Sequence, residues 1–150
     1  MAAPLLQAEI DINAPVSRVW ELVSDLERMP RWSPQCRWTK RLGPLRPGTR
    51  AVNLNRRGRL LWPTTSTITA LVPEKELAFR VNANGTVWRY RLEPVDGGTR
   101  LTETRHAENG VKAVSNATVN ALFGGVPSFE QELVDGMKQS LARIKAAAEA

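Results

Sequence analysis

The sequence predicts an α+β fold in which a curved antiparallel β-sheet wraps around one long C-terminal α-helix. Three observations carry this. Short alternating runs separated by turn signals fill the stretch from Gln35 to Ala107, helical periodicity marks Pro127 to Ala148, and the chain opens with a strand followed by an amphipathic helix. The sheet offers one apolar face and the helix one apolar stripe, so each must cover the other. A sheet curled around a helix leaves a gap between them, which is the natural place for a ligand cavity.

The first element is a half-buried strand over Leu5 to Ile12, where Leu6, Ala8, Ile10 and Ile12 alternate with Gln7, Glu9 and Asp11. Asn13-Ala14-Pro15 then reads as a cap-like residue and a proline at the first helical position. Val16, Val19, Trp20, Val23 and Leu26 follow at helical spacing, predicting one helix that ends near Arg28. Pro30 and Pro34 restrict Arg31-Trp32-Ser33 to a short turn of helix. Strands are expected at Cys36 to Leu42, Thr49 to Asn55, Leu61 to Val72, Glu76 to Val81, Thr86 to Pro94 and Thr99 to His106. Asp96-Gly97-Gly98 is a good hairpin turn, because glycine takes the positive φ of a tight turn without strain. Val111 to Phe123 reads as a weak helix stopped by Gly124-Gly125. In the final helix Phe129, Leu133, Met137, Leu141 and Ile144 recur every three or four residues, with Glu130 and Glu132 near its start and Arg143 and Lys145 near its end. No repeat or linker divides the chain, so residues 1–150 are expected to form one domain.

Composition removes several function classes. With 42% hydrophobic and 24% charged residues, the chain is too apolar for disorder. Its single cysteine, Cys36, cannot form an internal disulfide, and with the lone histidine, His106, it cannot make a Cys/His zinc site. No carboxylate cluster suggests a metal, so neither metal nor cofactor is expected. The start lacks a basic region followed by an apolar one, and no apolar run approaches the ~20 residues of a membrane span. The expectation is therefore a cytoplasmic protein. No Ser-His-Asp set is evident, and Cys36 reads as a small packing residue rather than a nucleophile.

The net charge of +6 is unevenly spread: ten basic residues and no acidic ones lie between Arg28 and Pro73. The arginines are simply solvated, or steer an anionic ligand toward a cavity mouth, or engage nucleic-acid phosphates through the Arg28 to Arg59 segment. That spacing fits no named nucleic-acid motif, which makes nucleic acid the least favoured of the three.

Several short motifs share an order and spacing. Ile12-Asn13-Ala14-Pro15, Val19-Trp20, Val23-Ser24-Asp25 and Pro30-Arg31-Trp32 resemble the opening of the START-like (Bet v 1-like, SRPBCC) superfamily, and more narrowly its polyketide cyclase/dehydrase and lipid-transport branch. Gly97-Gly98-Thr99-Arg100-Leu101-Thr102-Glu103, Phe123-Gly124-Gly125-Val126-Pro127 and Gly136-Met137 with Leu141 resemble the same branch. The resemblance implies the helix-grip fold and a hydrophobic cavity between sheet and long helix. It implies no single activity.

Within such a fold, alternation assigns inward faces. Trp88, Tyr90 and Leu92 oppose Arg89, Arg91 and Glu93, and Phe79 and Val81 point the same way, as ligand contacts or as core packing. If Leu101 faces inward, so do Glu103 and Arg105. Glu103 in an apolar cavity would have a raised pKa, as suits a general acid or base; the plainer reading is that it pairs with Arg105. Asn53 and Asn55, with Thr64 and Ser66 on the next strand, form either a polar patch for ligand carbonyls or an ordinary solvent-facing set. Trp38, Phe129, Leu133 and Met137 complete the candidate ligand-contacting residues, with Val111 to Phe123 and the loops about Trp32 and Arg57 as the mouth. The expected function is binding of a hydrophobic or aromatic small molecule, lipid-like or polyketide-like. An aromatic polyketide cyclase/dehydratase using Tyr90 or Glu103 is the alternative, and a basic RNA, ribosome or protein interaction module the third.

Overall fold

The computed structural model describes residues 5–83, 85–107 and 126–150, with side chains in the last helix from residue 130 onward. The expected helix over Val111 to Phe123 lies outside these. Among the described residues, seven strands form one antiparallel sheet: β1 (Leu5–Ile12), β2 (Cys36–Arg41), β3 (Arg50–Arg57), β4 (Leu60–Val72), β5 (Glu76–Val81), β6 (Val87–Val95) and β7 (Gly98–His106). Their order is β1-β7-β6-β5-β4-β3-β2, so the meander runs from β2 to β7 and the first strand closes beside the last. Helices α1 (Val16–Val23) and α2 (Met29–Trp32) follow β1, and α3 (Val126–Glu149) ends the fold.

The helix expected to reach Arg28 instead stops at Val23. Ser24 terminates it: both its backbone N–H and its hydroxyl donate to the carbonyl of Trp20, the hydroxyl at 2.7 Å, and Asp25 is extended. A 3-10 turn over Leu26–Arg28 then leads into α2. The first helical residue is Val16, not Pro15, and the Asn13 side chain does not cap; its N–H donates to Glu149 on α3.

The core forms where the sheet's concave face meets the apolar stripe of α3. Met137, Leu141 and Ile144 are buried with Ile12, Val19, Leu77 and Leu101. Burial of Met137 places it in this core. Trp32, expected beside a cavity mouth, is also buried, and its carbonyl accepts hydrogen bonds from Ser140 (3.3 Å) and Arg143 (3.0 Å) of α3. Those donors satisfy an otherwise orphaned carbonyl at the end of α2. Among the described residues no helix is long and apolar enough to cross a membrane.

The β6–β7 hairpin turns through Asp96-Gly97, with Gly97 at φ 83°. Gly98 answers a different need. A Cβ there would collide with the carbonyl oxygen of Ile12 and lie within 3.1 Å of the Ala14 nitrogen, just where β1 hands over to α1. The neighbouring Thr99 hydroxyl donates to the Ala14 carbonyl at 2.8 Å, so the junction has little room to shift. Gly98→Ala is therefore expected to cost about 1–3 kcal/mol by overpacking. Urea unfolding checks this, and an unchanged midpoint would contradict it.

Candidate functional site

The concave face of the sheet presents a cleft lined by Leu26, Met29, Thr39, Ala51, Asn53, Ser66 and Phe79. The strand register explains its floor. Ala51 lies opposite Ser66, Asn53 opposite Thr64, and Ile68 opposite Phe79, so these residues share one face. Leu26 and Met29, from the 3-10 turn and α2, contribute from outside the sheet. The cleft is open to solvent on one side and its volume is about 20 Å³, room for roughly one water.

Polar groups on the floor bond to one another. The Thr39 hydroxyl donates to Asn53 Oδ1 at 3.1 Å, and Asn53 Nδ2 donates to Ser66 Oγ at 3.4 Å. Cys36 Sγ lies 3.0 Å from the same Thr39 hydroxyl. Burial pushes the Cys36 thiol up, against the hydrogen bond to Thr39, so it stays protonated near neutral pH. Further along the same face Asn55 Nδ2 donates to Thr64 Oγ1 at 3.0 Å, outside the cleft lining.

Trp38 requires a correction. A bulge between Cys36 and Trp38 shifts the β2 register, so that Cys36 and Thr39 face inward and Trp38 faces outward, 48% exposed. Simple alternation would have kept Cys36 and Trp38 on one face, which is why Thr39 was missed and Trp38 misplaced. Only a structure reveals such a bulge, since no glycine or proline marks it.

Beneath Met29 lies the second cluster. Tyr90 on β6 is directly opposite Glu103 on β7, and both are buried. The Tyr90 hydroxyl reaches Met29 Sδ at 4.0 Å, beside the Glu103 carboxyl that its own strand position faces. Burial pushes the Glu103 pKa up to about 8, the nearby Tyr90 hydroxyl opposing it only in part. Tyr90 is pushed well above its ordinary value, first by burial and then by Glu103. Both are therefore neutral at pH 7, a carboxylic acid beside a phenol. One carboxyl oxygen, Glu103 Oε1, is buried with no hydrogen-bond partner among the described residues.

The expected Glu103–Arg105 pairing does not form. Arg105, 3% exposed, instead meets Glu130 of α3 at 3.1 Å. A parallel contact ties the tip of the β3–β4 hairpin to the same helix: Arg57 Nε donates to both carboxylate oxygens of Glu132 at 2.8 Å. Arg57, expected at an open mouth, therefore clasps sheet to helix. Trp88 lies opposite Phe79 on the inner face and packs against the core, and Leu133 is half-buried on α3. The Phe129 side chain lies outside the described residues.

A family model described as polyketide cyclase / dehydrase and lipid transport matches residues 4–149. A search of curated protein sequences returns no match. Among solved structures, the di-domain ARO/CYC StfQ from the steffimycin biosynthetic pathway superposes with a TM-score of 0.77 at 13% identity, covering 97% of this chain and 50% of that one. This chain thus spans half the length of that protein. The Zhui aromatase/cyclase from Streptomyces sp. R1128 gives 0.71 at 16% identity, covering 97% of this chain and 93% of its own. The polyketide-cyclase-like protein Cgl2372 from Corynebacterium glutamicum gives 0.67 at 24% identity, covering 97% and 91%. At such identities the superpositions establish a shared helix-grip fold.

Proposed function

Because the chain belongs to the polyketide cyclase / dehydrase and lipid transport family, we propose that it binds a hydrophobic or aromatic small molecule between the sheet and α3. One observation carries the reading: apolar Leu26, Met29, Ala51 and Phe79 surround a few polar groups, Thr39, Asn53 and Ser66, in a single cleft. That is the usual chemistry of a small-molecule site, apolar walls with a few groups that orient the ligand. A ring system needs more than this volume, so its binding displaces the Leu26 and Met29 side chains.

A second reading, an aromatic cyclase or dehydratase, is favoured by the Tyr90–Glu103 pair. A carboxyl held neutral at pH 7 can donate a proton to a ligand carbonyl, with the Tyr90 phenol as a second donor. In that reading Glu103 Oε1 hydrogen-bonds the ligand, and the cavity brings the reacting carbons together.

The test uses the neutral fluorescent probe N-phenyl-1-naphthylamine, displaced by fatty acids or polycyclic aromatics. Ala51→Leu fills the floor of the cleft and is expected to weaken probe binding about tenfold or more, some 1.4 kcal/mol. Thr69→Ala, exposed on β4 and absent from the lining, leaves it unchanged. Equal affinities of Ala51→Leu and the parent protein would place binding elsewhere.

A further inference from the structure

The outer face of the sheet carries a feature that the cleft does not use. Turned outward by the bulge, Trp38 lies opposite Leu54, and Leu54 lies opposite Pro63. All three are exposed, and Leu61, two residues before Pro63 on the same face, is 57% exposed. By the same alternation Lys40, Arg50 and Arg56 stand on this face, all exposed, around the apolar row. No carboxylate occurs anywhere on β2, β3 or β4. Three cations and no carboxylate beside a cross-strand row of exposed apolar side chains are not what a purely solvated face requires.

We propose that this face docks reversibly on an anionic phospholipid bilayer. Trp38, Leu54 and Leu61 enter the headgroup layer, where an indole ring is well placed, and Lys40, Arg50 and Arg56 meet lipid phosphates. Charge complementarity selects the surface, since each cation gains from a negative leaflet and no acidic group on these strands opposes it. The sheet curls around α3, so its outer face is convex and suits a deformable layer better than a protein pocket. A row of three or four apolar side chains also falls well short of the ~800 Å² per partner of a stable protein interface. Nucleic acid would meet the cations but would leave Leu54, Leu61 and Pro63 against sugar and phosphate.

The full chain is sedimented with phosphatidylcholine vesicles, and with the same vesicles containing about one third phosphatidylglycerol. Binding is expected to the anionic vesicles only, and to weaken as salt screens the contact. Lys40→Glu with Arg50→Glu lowers partitioning by about tenfold or more. Trp38→Ser with Leu54→Ser also lowers it. Both double variants keep the parent's thermal midpoint and its affinity for the naphthylamine probe, which separates this surface from the cleft. Failure to sediment, equal binding to neutral vesicles, or anionic binding that neither variant changes would overturn the proposal. So would an RNA duplex that binds more tightly than the vesicles and is indifferent to the Trp38 and Leu54 substitutions.

Discussion

Glu103→Gln is expected to leave stability almost unchanged at pH 4 and to raise it by about 4 kcal/mol at pH 8. The folded protein holds Glu103 neutral until about pH 8, whereas the unfolded chain ionises it near 4.5. Below pH 4.5 both states carry the proton and the group contributes nothing that depends on pH. Between about pH 4.5 and 8 the unfolded state releases its proton first, so stability falls as pH rises, by up to about 1.4 kcal/mol per unit. Above pH 8 the loss is complete and constant. Glutamine has nearly the same shape and never ionises, so it removes this slope. Urea titrations of both proteins across pH 4–9 check the result, and parallel curves would show that Glu103 is not buried as described. The same variant bears on chemistry. If a cyclisation or dehydration uses Glu103 as the acid, Gln binds the naphthylamine probe normally but loses turnover.

Arg105→Met is expected to cost about 3–5 kcal/mol, the usual penalty for stripping one partner from a buried ion pair. Arg105 is 3% exposed and Glu130 14%, and their contact at 3.1 Å joins β7 to the second turn of α3. The thioether fills the space of the guanidinium stem but leaves the Glu130 carboxylate without that cation. At this chain length the thermal midpoint falls by roughly 6–20 °C. Pairing the change with Glu130→Leu is expected to recover much of the loss, because an apolar pair in place of a buried ionic one is often neutral. A single-variant loss below about 1 kcal/mol, or no recovery in the double variant, would show that the contact does not hold the helix to the sheet.

Residue by residue, the site was partly legible. The inward direction of Glu103 and Tyr90 followed from period-two alternation on β6 and β7, and burial on those strands agrees with it. For Asn53 and Ser66 the sequence left an inward polar patch and a solvent-facing set both open, and the two residues meet across β3 and β4. Thr39, Leu26 and Met29 were not legible. Thr39 faces the cleft only because a bulge reverses the register of β2, and Leu26 and Met29 reach it only because Ser24 ends α1 early. The early stop turns on one side chain bonding back to Trp20, in a segment whose apolar spacing continues as if the helix did too.

The sequence by itself determined the order of elements, the Asp96-Gly97 hairpin and the faces of the regular strands. These depend on neighbours a few residues apart, through dihedral preferences and the periods of helix and strand. The tertiary structure alone decided which charges meet and which protons stay bound. Arg105 and Glu103 are two residues apart on one strand, yet the cation pairs with Glu130, 25 residues away, and Glu103 is left to Tyr90 on the adjacent strand. Ion-pair partners and pKa values follow distance and desolvation in space, which a linear pattern does not encode.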